Sequence, residues 1–169
     1  MRNAEVLLRV DGVEPEAAFD RIHDFARYPE FTDVVRSVTV HEISDEEETS
    51  DWEVYFRNGI LRWTEADRFD RGTLVISFEQ IDGDFAEFSG TWRISAEGAD
   101  TLVAFSADFD FGIPSLAGIL DPVAQRVFKE TIARVVIGLF GGATVVGDEA
   151  VARAVAAVDG SAPSAPALR

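Results

Sequence analysis

The stretch IPSLAGILDPVAQRVFKETIARVVIGLF, residues 113–140, decides how the rest of the chain must fold. Pro114-Ser115 breaks the preceding segment and offers Ser115 as a helix N-cap. A stripe then runs through Leu116, Ile119, Leu120, Val123, Val127, Phe128, Thr131, Ile132, Val135, Val136, Leu139 and Phe140. Steps of three and four put these residues on one helical face, with Asp121, Gln125, Lys129, Glu130 and Arg134 mainly elsewhere. Gly141-Gly142 ends the pattern, as a C-terminal glycine does. No other segment offers a long helix, and residues 34–111 read as strands. A single long amphipathic helix after a run of strands must bury its stripe on one antiparallel sheet.

Working outward, Trp52, Val54 and Phe56 alternate in one strand, and Asn58-Gly59 gives a hairpin signal before the strand over 60–69. Turns at Arg71-Gly72, Asp82-Gly83 and Glu97-Gly98 separate three more alternating runs: Leu74 to Phe78, Ala86 to Ile94, and Val103 to Phe111. Ahead of them lie a strand over 4–10 and a helix opened by Pro15, with a stripe of Ala18, Phe19, Ile22 and Phe25. Tyr28-Pro29-Glu30-Phe31 breaks that helix, and a second helical turn reaches about Asp33 before the strand over 34–43. The chain thus predicts an α+β fold: an antiparallel sheet of about seven strands, one long helix at the C-terminal side, and two short helices after strand 1. Residues 1–142 read as one folded unit. Residues 143–169 read as a partly disordered extension, with a short helix over 148–158 capped by Asp148.

Composition excludes several classes of function. The chain of 169 residues has no cysteine, which rules out disulfides, thiol nucleophiles and thiolate metal sites. Its 31 acidic and 15 basic residues give a net charge of −16, a surface that repels nucleic acid and anionic membranes. The acidity is densest at Asp45-Glu46-Glu47-Glu48, read as a solvated hairpin loop. No apolar run is long enough to span a membrane and the first residues form no signal peptide, so the cytoplasm is the default location. There is no nucleophile elbow, phosphate loop or dinucleotide fingerprint. His23 and His41 have no ligand-like spacing, so neither a metal nor a cofactor is expected, and His23 reads as a surface histidine.

Three segments carry a resemblance. Phe25-Ala26-Arg27-Tyr28-Pro29-Glu30-Phe31 with Val35-Arg36-Ser37-Val38, Gly83-Asp84-Phe85 through Gly90-Thr91-Trp92-Arg93, and Phe109-Asp110-Phe111 before Pro114 stand in a familiar order. Over residues 4–140 the chain resembles the START-like, helix-grip superfamily, and within it the polyketide cyclase and coenzyme-Q-binding branch. The resemblance implies a curved sheet wrapped around the long helix, and a mostly apolar cavity of ~300–1,000 Å³ where the two cannot lie flush. Candidates for its lining are Trp52, Phe56, Phe88, Trp92, Phe105 and Phe109, with Tyr28, Pro29 and Phe31 near the mouth. The alternative is that these aromatics simply fill the core.

The strand over 60–69 leaves its inward face open. Arg62, Thr64, Ala66 and Arg68 share one face; Leu61, Trp63, Glu65, Asp67 and Phe69 share the other. In the cyclases that the chain resembles, an arginine at the position of Arg68 faces the cavity and acts on the substrate. Carried over, Arg68 would hold a ketone or enolate oxygen, with Arg62 and Thr64 beside it and Asp108, Asp110 or Glu79 as base. Where those enzymes carry a tyrosine, this chain has Val35. Two functions follow as expectations: an aromatase/cyclase-like enzyme that closes rings on a polyketone, or a carrier for an apolar molecule such as a quinone or polyene. A purely structural role is the third. The partners expected are a hydrophobic small molecule and, from the cyclase resemblance, an acyl carrier protein; the chain is expected as a monomer or homodimer.

Overall fold

The computed structural model describes residues 1–159. β1 (Arg2–Val10) leads to α1 (Pro15–His23) and a 3₁₀ turn (Phe25–Glu30). Six strands follow: β2 (Val35–Glu42), β3 (Glu47–Phe56), β4 (Gly59–Asp70), β5 (Val75–Gly83), β6 (Glu87–Glu97) and β7 (Asp100–Asp110). After a 3₁₀ turn at Pro114–Leu116 come α2 (Ala117–Phe140), β8 (Thr144–Val146) and α3 (Glu149–Asp159). The eight strands form one antiparallel sheet in the order β2-β3-β4-β5-β6-β7-β1-β8, and α2 packs against it beside β1. This is the expected helix-grip arrangement with one strand more than the alternation predicted. Three residues give too short a pattern for β8 to stand out in the sequence.

Alternation sets the inner face of each strand. Ala4, Val6, Leu8 and Val10 point inward from β1; Val103, Phe105, Ala107 and Phe109 do so from β7. Their register pairs Val6 with Phe105 and Leu8 with Val103. The sheet is bent by two irregularities, one leaving Arg36 unpaired in β2 and one leaving Ile81 unpaired in β5. At the second, a Cβ on Gly83 (φ +150°) would stand 2.5 Å from the Trp63 Cβ, so only glycine allows this approach. The hairpin expected at Asn58-Gly59 turns one residue earlier. Phe56 pairs with Gly59, and Arg57 takes the positive φ of 57°.

The long helix also begins later than the sequence predicts. Ser115 caps nothing; it lies in the preceding 3₁₀ turn, and Leu116 precedes α2 with no side-chain cap. Leu116 and Ile119 of the expected stripe are exposed, and Ile113 with them. Asp121, placed off the stripe by its charge, is buried. Pro122 sits in the second turn, where it has no N–H to offer the backbone of the first. From Ala124 on the helix packs as expected, with Val127, Phe128, Thr131, Val135, Val136 and Leu139 buried. Gly141 (φ 70°) closes it, with the Gly142 N–H bonded to the Ile137 carbonyl at 2.9 Å. Beyond it, β8 pairs with β1, and α3 packs on α2 with its start capped by Asp148, whose Oδ1 accepts from the Val151 N–H at 3.1 Å. Of the tail expected to be unstructured over residues 159–169, Asp159 ends α3, and residues 160–169 lie outside the described residues.

Candidate functional site

Between α2 and the inner face of the sheet lies a cavity of about 60 Å³. Trp52 and Val54 of β3, Trp63 and Glu65 of β4, and Phe78 of β5 form part of its sheet wall. Phe88 and Trp92 of β6 and Phe105 of β7 complete that wall. Phe128, Thr131, Ile132 and Val135 form the helix wall, and Phe25, Tyr28 and Val35 close one end. The volume is far below the range expected for a ligand cavity of this fold. Ring packing explains the difference: Trp52 stacks on Trp63 with parallel planes and centroids 5.8 Å apart, and Phe78 stacks on Phe105 at 5.7 Å. Part of the aromatic content therefore fills the core, and the rest lines what is left.

Of the expected lining, the structure brings Tyr28, Trp52, Phe88, Trp92 and Phe105 together. Phe109 is fully buried but lies off the cavity, packed on Phe128 and Phe111. Phe56 stacks on Phe111 at 5.8 Å. Phe31 packs over Gly138 of α2, so closely that a side chain there would collide with its ring.

The polar candidates fall outside. Arg68 points outward, its side chain 66% exposed and 3.7 Å from Glu47. It borders a separate polar cleft with His23, Asp45, Glu46 and Arg71. Arg62 pairs with Glu53 at 2.9 Å and Thr64 donates to Asp51, both on the outer face. Asp108 accepts from Asn3 at 2.8 Å, Asp110 accepts from the Gly112 N–H, and Glu79 is exposed. Alternation is the reason in each strand: Trp63 and Phe69 turn inward from β4 and force Arg62, Thr64 and Arg68 out, as Phe78 of β5 does for Glu79 and Phe109 of β7 for Asp108 and Asp110.

The same constraint carries Glu65 and Asp67 inward, 3% and 2% exposed. Register sets Glu48 opposite Asp67, Ser50 opposite Glu65 and Trp52 opposite Trp63. Glu48 is 5% exposed, not part of a solvated loop; only residues 43–46 lie between β2 and β3. The cluster is hydrogen-bonded in a short network. Trp63 Nε1 donates to Glu65 Oε1 at 2.8 Å; Trp52 Nε1 donates to Ser50 Oγ at 2.8 Å, and Ser50 donates on to Asp67 Oδ2 at 2.6 Å. Glu65 and Asp67 stand two residues apart on the same inward face of β4. Burial raises the pKa of both, and it pushes Glu48 up to about 7, with the charge of Asp67 adding to it. His23, expected at the surface, is half-buried edge-on against Phe69 and lies 4.0 Å from Glu48 Oε1. Burial lowers its pKa, and the nearby Arg71 lowers it further. Glu48, Glu65 and Asp67 are the polar residues that sequence reasoning missed. For Glu65 and Asp67 the available signal was Trp63 and Phe69 on their face of β4, two large aromatics against none on the other.

A family model described as "Polyketide cyclase / dehydrase and lipid transport" matches residues 12–136. The chain belongs to this family. Membership supports hydrophobic-ligand binding or a cyclase role for the cavity. No curated protein matches the chain. Among solved structures, a protein from Thermus thermophilus, TTHA0849, is 23% identical over 83% of this chain and 95% of its own, with a TM-score of 0.75. A START superfamily protein from Mycobacterium smegmatis is 15% identical over 82% and 97%, with a TM-score of 0.69. The Zhui aromatase/cyclase from Streptomyces sp. R1128 is 21% identical over 82% and 86%, with a TM-score of 0.60. At these identities the likeness is one of fold. Among the described residues no helix is long and apolar enough to cross a membrane, and no group of side chains could hold a metal ion.

Proposed function

We propose that this member of the polyketide cyclase family binds a neutral, largely apolar small molecule of polyketide or similar aromatic type between α2 and the sheet. The observation that carries the reading is the lining: apolar and aromatic on both walls, with Glu65 and Thr131 as its polar exceptions beside the polar tips of Tyr28 and three tryptophans. The Tyr28 hydroxyl is already engaged with the Ile22 carbonyl, and the indole N–H groups of Trp52 and Trp63 with Ser50 and Glu65. A ligand larger than a few waters has to displace side chains such as Phe128 and Ile132, since about 60 Å³ is open.

An arginine-assisted cyclase loses its cation, because Arg68 is outward and paired with Glu47. A carrier needs only the apolar walls, and with Arg68 turned out the carrier reading stands ahead of the arginine-assisted one. Delivery by an acyl carrier protein belongs to the cyclase reading. The test is a solvatochromic apolar dye. All three tryptophans line the cavity, so binding near one equivalent must quench their emission. A folded protein that takes up no dye and keeps its full emission refutes the proposal.

A further inference from the structure

Glu65 and Tyr28 are the titratable side chains of the cavity lining, and the Tyr28 hydroxyl is bound to a backbone carbonyl. Glu65 differs: one of its oxygens accepts from Trp63, and the buried carboxyl of Asp67 stands two residues along on the same inward face of β4. Two carboxyls buried side by side with no cation between them cannot both ionise cheaply, so a proton stays on the pair. Ser50 fixes Asp67 from the other side at 2.6 Å.

Three buried polar atoms here have no partner among the described residues: Asp67 Oδ1 of the pair, Glu48 Oε2 across the ladder from it, and Thr131 Oγ1 on the helix wall of the cavity, its residue 7% exposed. An unmet hydroxyl on one wall and a proton-sharing carboxyl on the other bracket a place for a ligand oxygen.

We propose that Glu65 is the acid–base residue of this cavity, that Asp67 holds the proton when Glu65 does not, and that the substrate is an apolar ketone. The proposal rests on the cavity reading above. With the shared proton on Asp67, the Glu65 carboxylate takes an α-hydrogen from the bound ketone. The C–H electron pair becomes the C=C bond of an enolate, and the carbonyl π pair moves to oxygen, where the Thr131 hydroxyl meets it. Glu65 then returns its proton to that oxygen, giving the enol with no other reactant consumed. In a β-hydroxyketone it gives the proton to the hydroxyl instead. Water leaves, the enolate electrons form the α,β double bond, and the carbonyl is restored. The cavity lining contains no basic side chain, which selects against a carboxylate substrate.

The groups around the pair are Glu48 and Ser50 on β3, Asp24 and Tyr28 beside the 3₁₀ turn, Glu42 on β2 and His23 on α1. His23 borders the outer cleft and stands 4.0 Å from Glu48, which lies opposite Asp67.

The experiment follows deuterium entry at the α-carbon of 1-tetralone in D₂O, with tryptophan quenching read on the same samples. The full chain is expected to bind 1-tetralone and speed exchange by ~10²–10⁴-fold over buffer. Glu65→Gln keeps the shape of the side chain and should drop exchange to the buffer rate while quenching persists. Asp67→Asn should move the pH profile of the exchange. Thr131→Val removes only an unpartnered hydroxyl and should slow exchange about tenfold, which serves if Glu65→Gln is unstable. Binding without faster exchange overturns the acid–base assignment alone. So does an unchanged rate in Glu65→Gln or in Thr131→Val, or an unmoved profile in Asp67→Asn. A protein that takes up neither 1-tetralone nor the dye overturns the cavity reading, and this proposal with it.

Discussion

Glu48 stands directly across from Asp67 in the β3–β4 ladder, and both carboxyls face the interior. Like charges opposite one another destabilise a sheet pair, and burial adds a desolvation cost. The basic side chain paired with Glu48 is His23, at 4.0 Å. The arrangement is stable only if protons remain on the cluster.

The pH dependence of stability should therefore run against the usual direction for carboxylates. Glu48 is raised from 4.5 to about 7, so the folded protein binds more protons than the unfolded chain between those values. Stability is then greatest near the lower value and falls as pH rises toward and past 7, by an amount on the order of 3 kcal/mol for this group. Glu65 and Asp67 are raised too and add in the same sense. His23 is lowered, so it opposes the trend as pH falls through the ordinary histidine range. Denaturant unfolding at pH 5.5 and pH 8 should show the higher midpoint at pH 5.5, and Glu48→Gln should remove much of the difference by stabilising the protein at pH 8. A midpoint that rises with pH in the wild type refutes this.

Arg68→Leu is expected to leave both fold and ligand binding nearly unchanged. Its pairing with Glu47 at 3.7 Å is exposed, and such pairs contribute ~0–1 kcal/mol. Dye affinity and thermal midpoint check it. A large loss of binding would show that Arg68 reaches the cavity after all.

Phe128→Ala should enlarge the cavity. Phe128 packs against Phe85, Phe88 and Phe109 from the helix wall, with centroids 5.2–6.2 Å away. Truncation costs ~3–5 kcal/mol of stability, and an apolar ligand that refills the space recovers part of it. Dye or 1-tetralone should bind more tightly than to the wild type, and the thermal midpoint should rise more steeply with ligand concentration. Equal or weaker binding would mean that Phe128 does not limit the cavity.

Gly138→Val tests how the segment after the 3₁₀ turn is held. A Cβ at 138 would meet the Phe31 ring, with Phe31 Cγ at 2.5 Å and Phe31 Cβ at 2.8 Å. The ring must leave its seat, at a cost of about 1–3 kcal/mol. A Phe31→Ala background should relieve most of that cost, and a double-mutant cycle measures the coupling. Additive effects would show that the two residues do not touch in solution.

Much of this protein could be read from the order of its residues. The stripe from Val127 to Leu139 requires a helix with one buried face, and alternation in β1 and β7 requires a sheet to receive it. Those patterns are local, with periods of 3.6 and 2, and local periodicity survives in any fold that the chain adopts. The start of α2 was less legible. Leu116 and Ile119 continue the stripe in sequence but run past the edge of what the sheet covers, and apolarity alone does not say where the cover stops.

The polar interior was decided by tertiary structure alone. In β4 each face mixes charge with hydrophobic groups, so alternation fixes which residues stand together and not which set goes inside. Trp63 and Phe69 won that choice because burying two large aromatic rings outweighs the cost of burying two carboxyls that can share a proton. Once they turned inward, Arg68 had to face water, and Glu65 and Asp67 had to enter the core. Register then added Glu48 from β3, a residue nineteen positions away in a run of acids that looked like a loop. Among 31 acidic residues, only the two aromatics on their face of β4 set Glu65 and Asp67 apart, and nothing in the sequence marks Glu48. Only the pairing of strands brings them into one place, because a cross-strand contact depends on the turn between the strands and on the bulges within them, which leave no periodic trace.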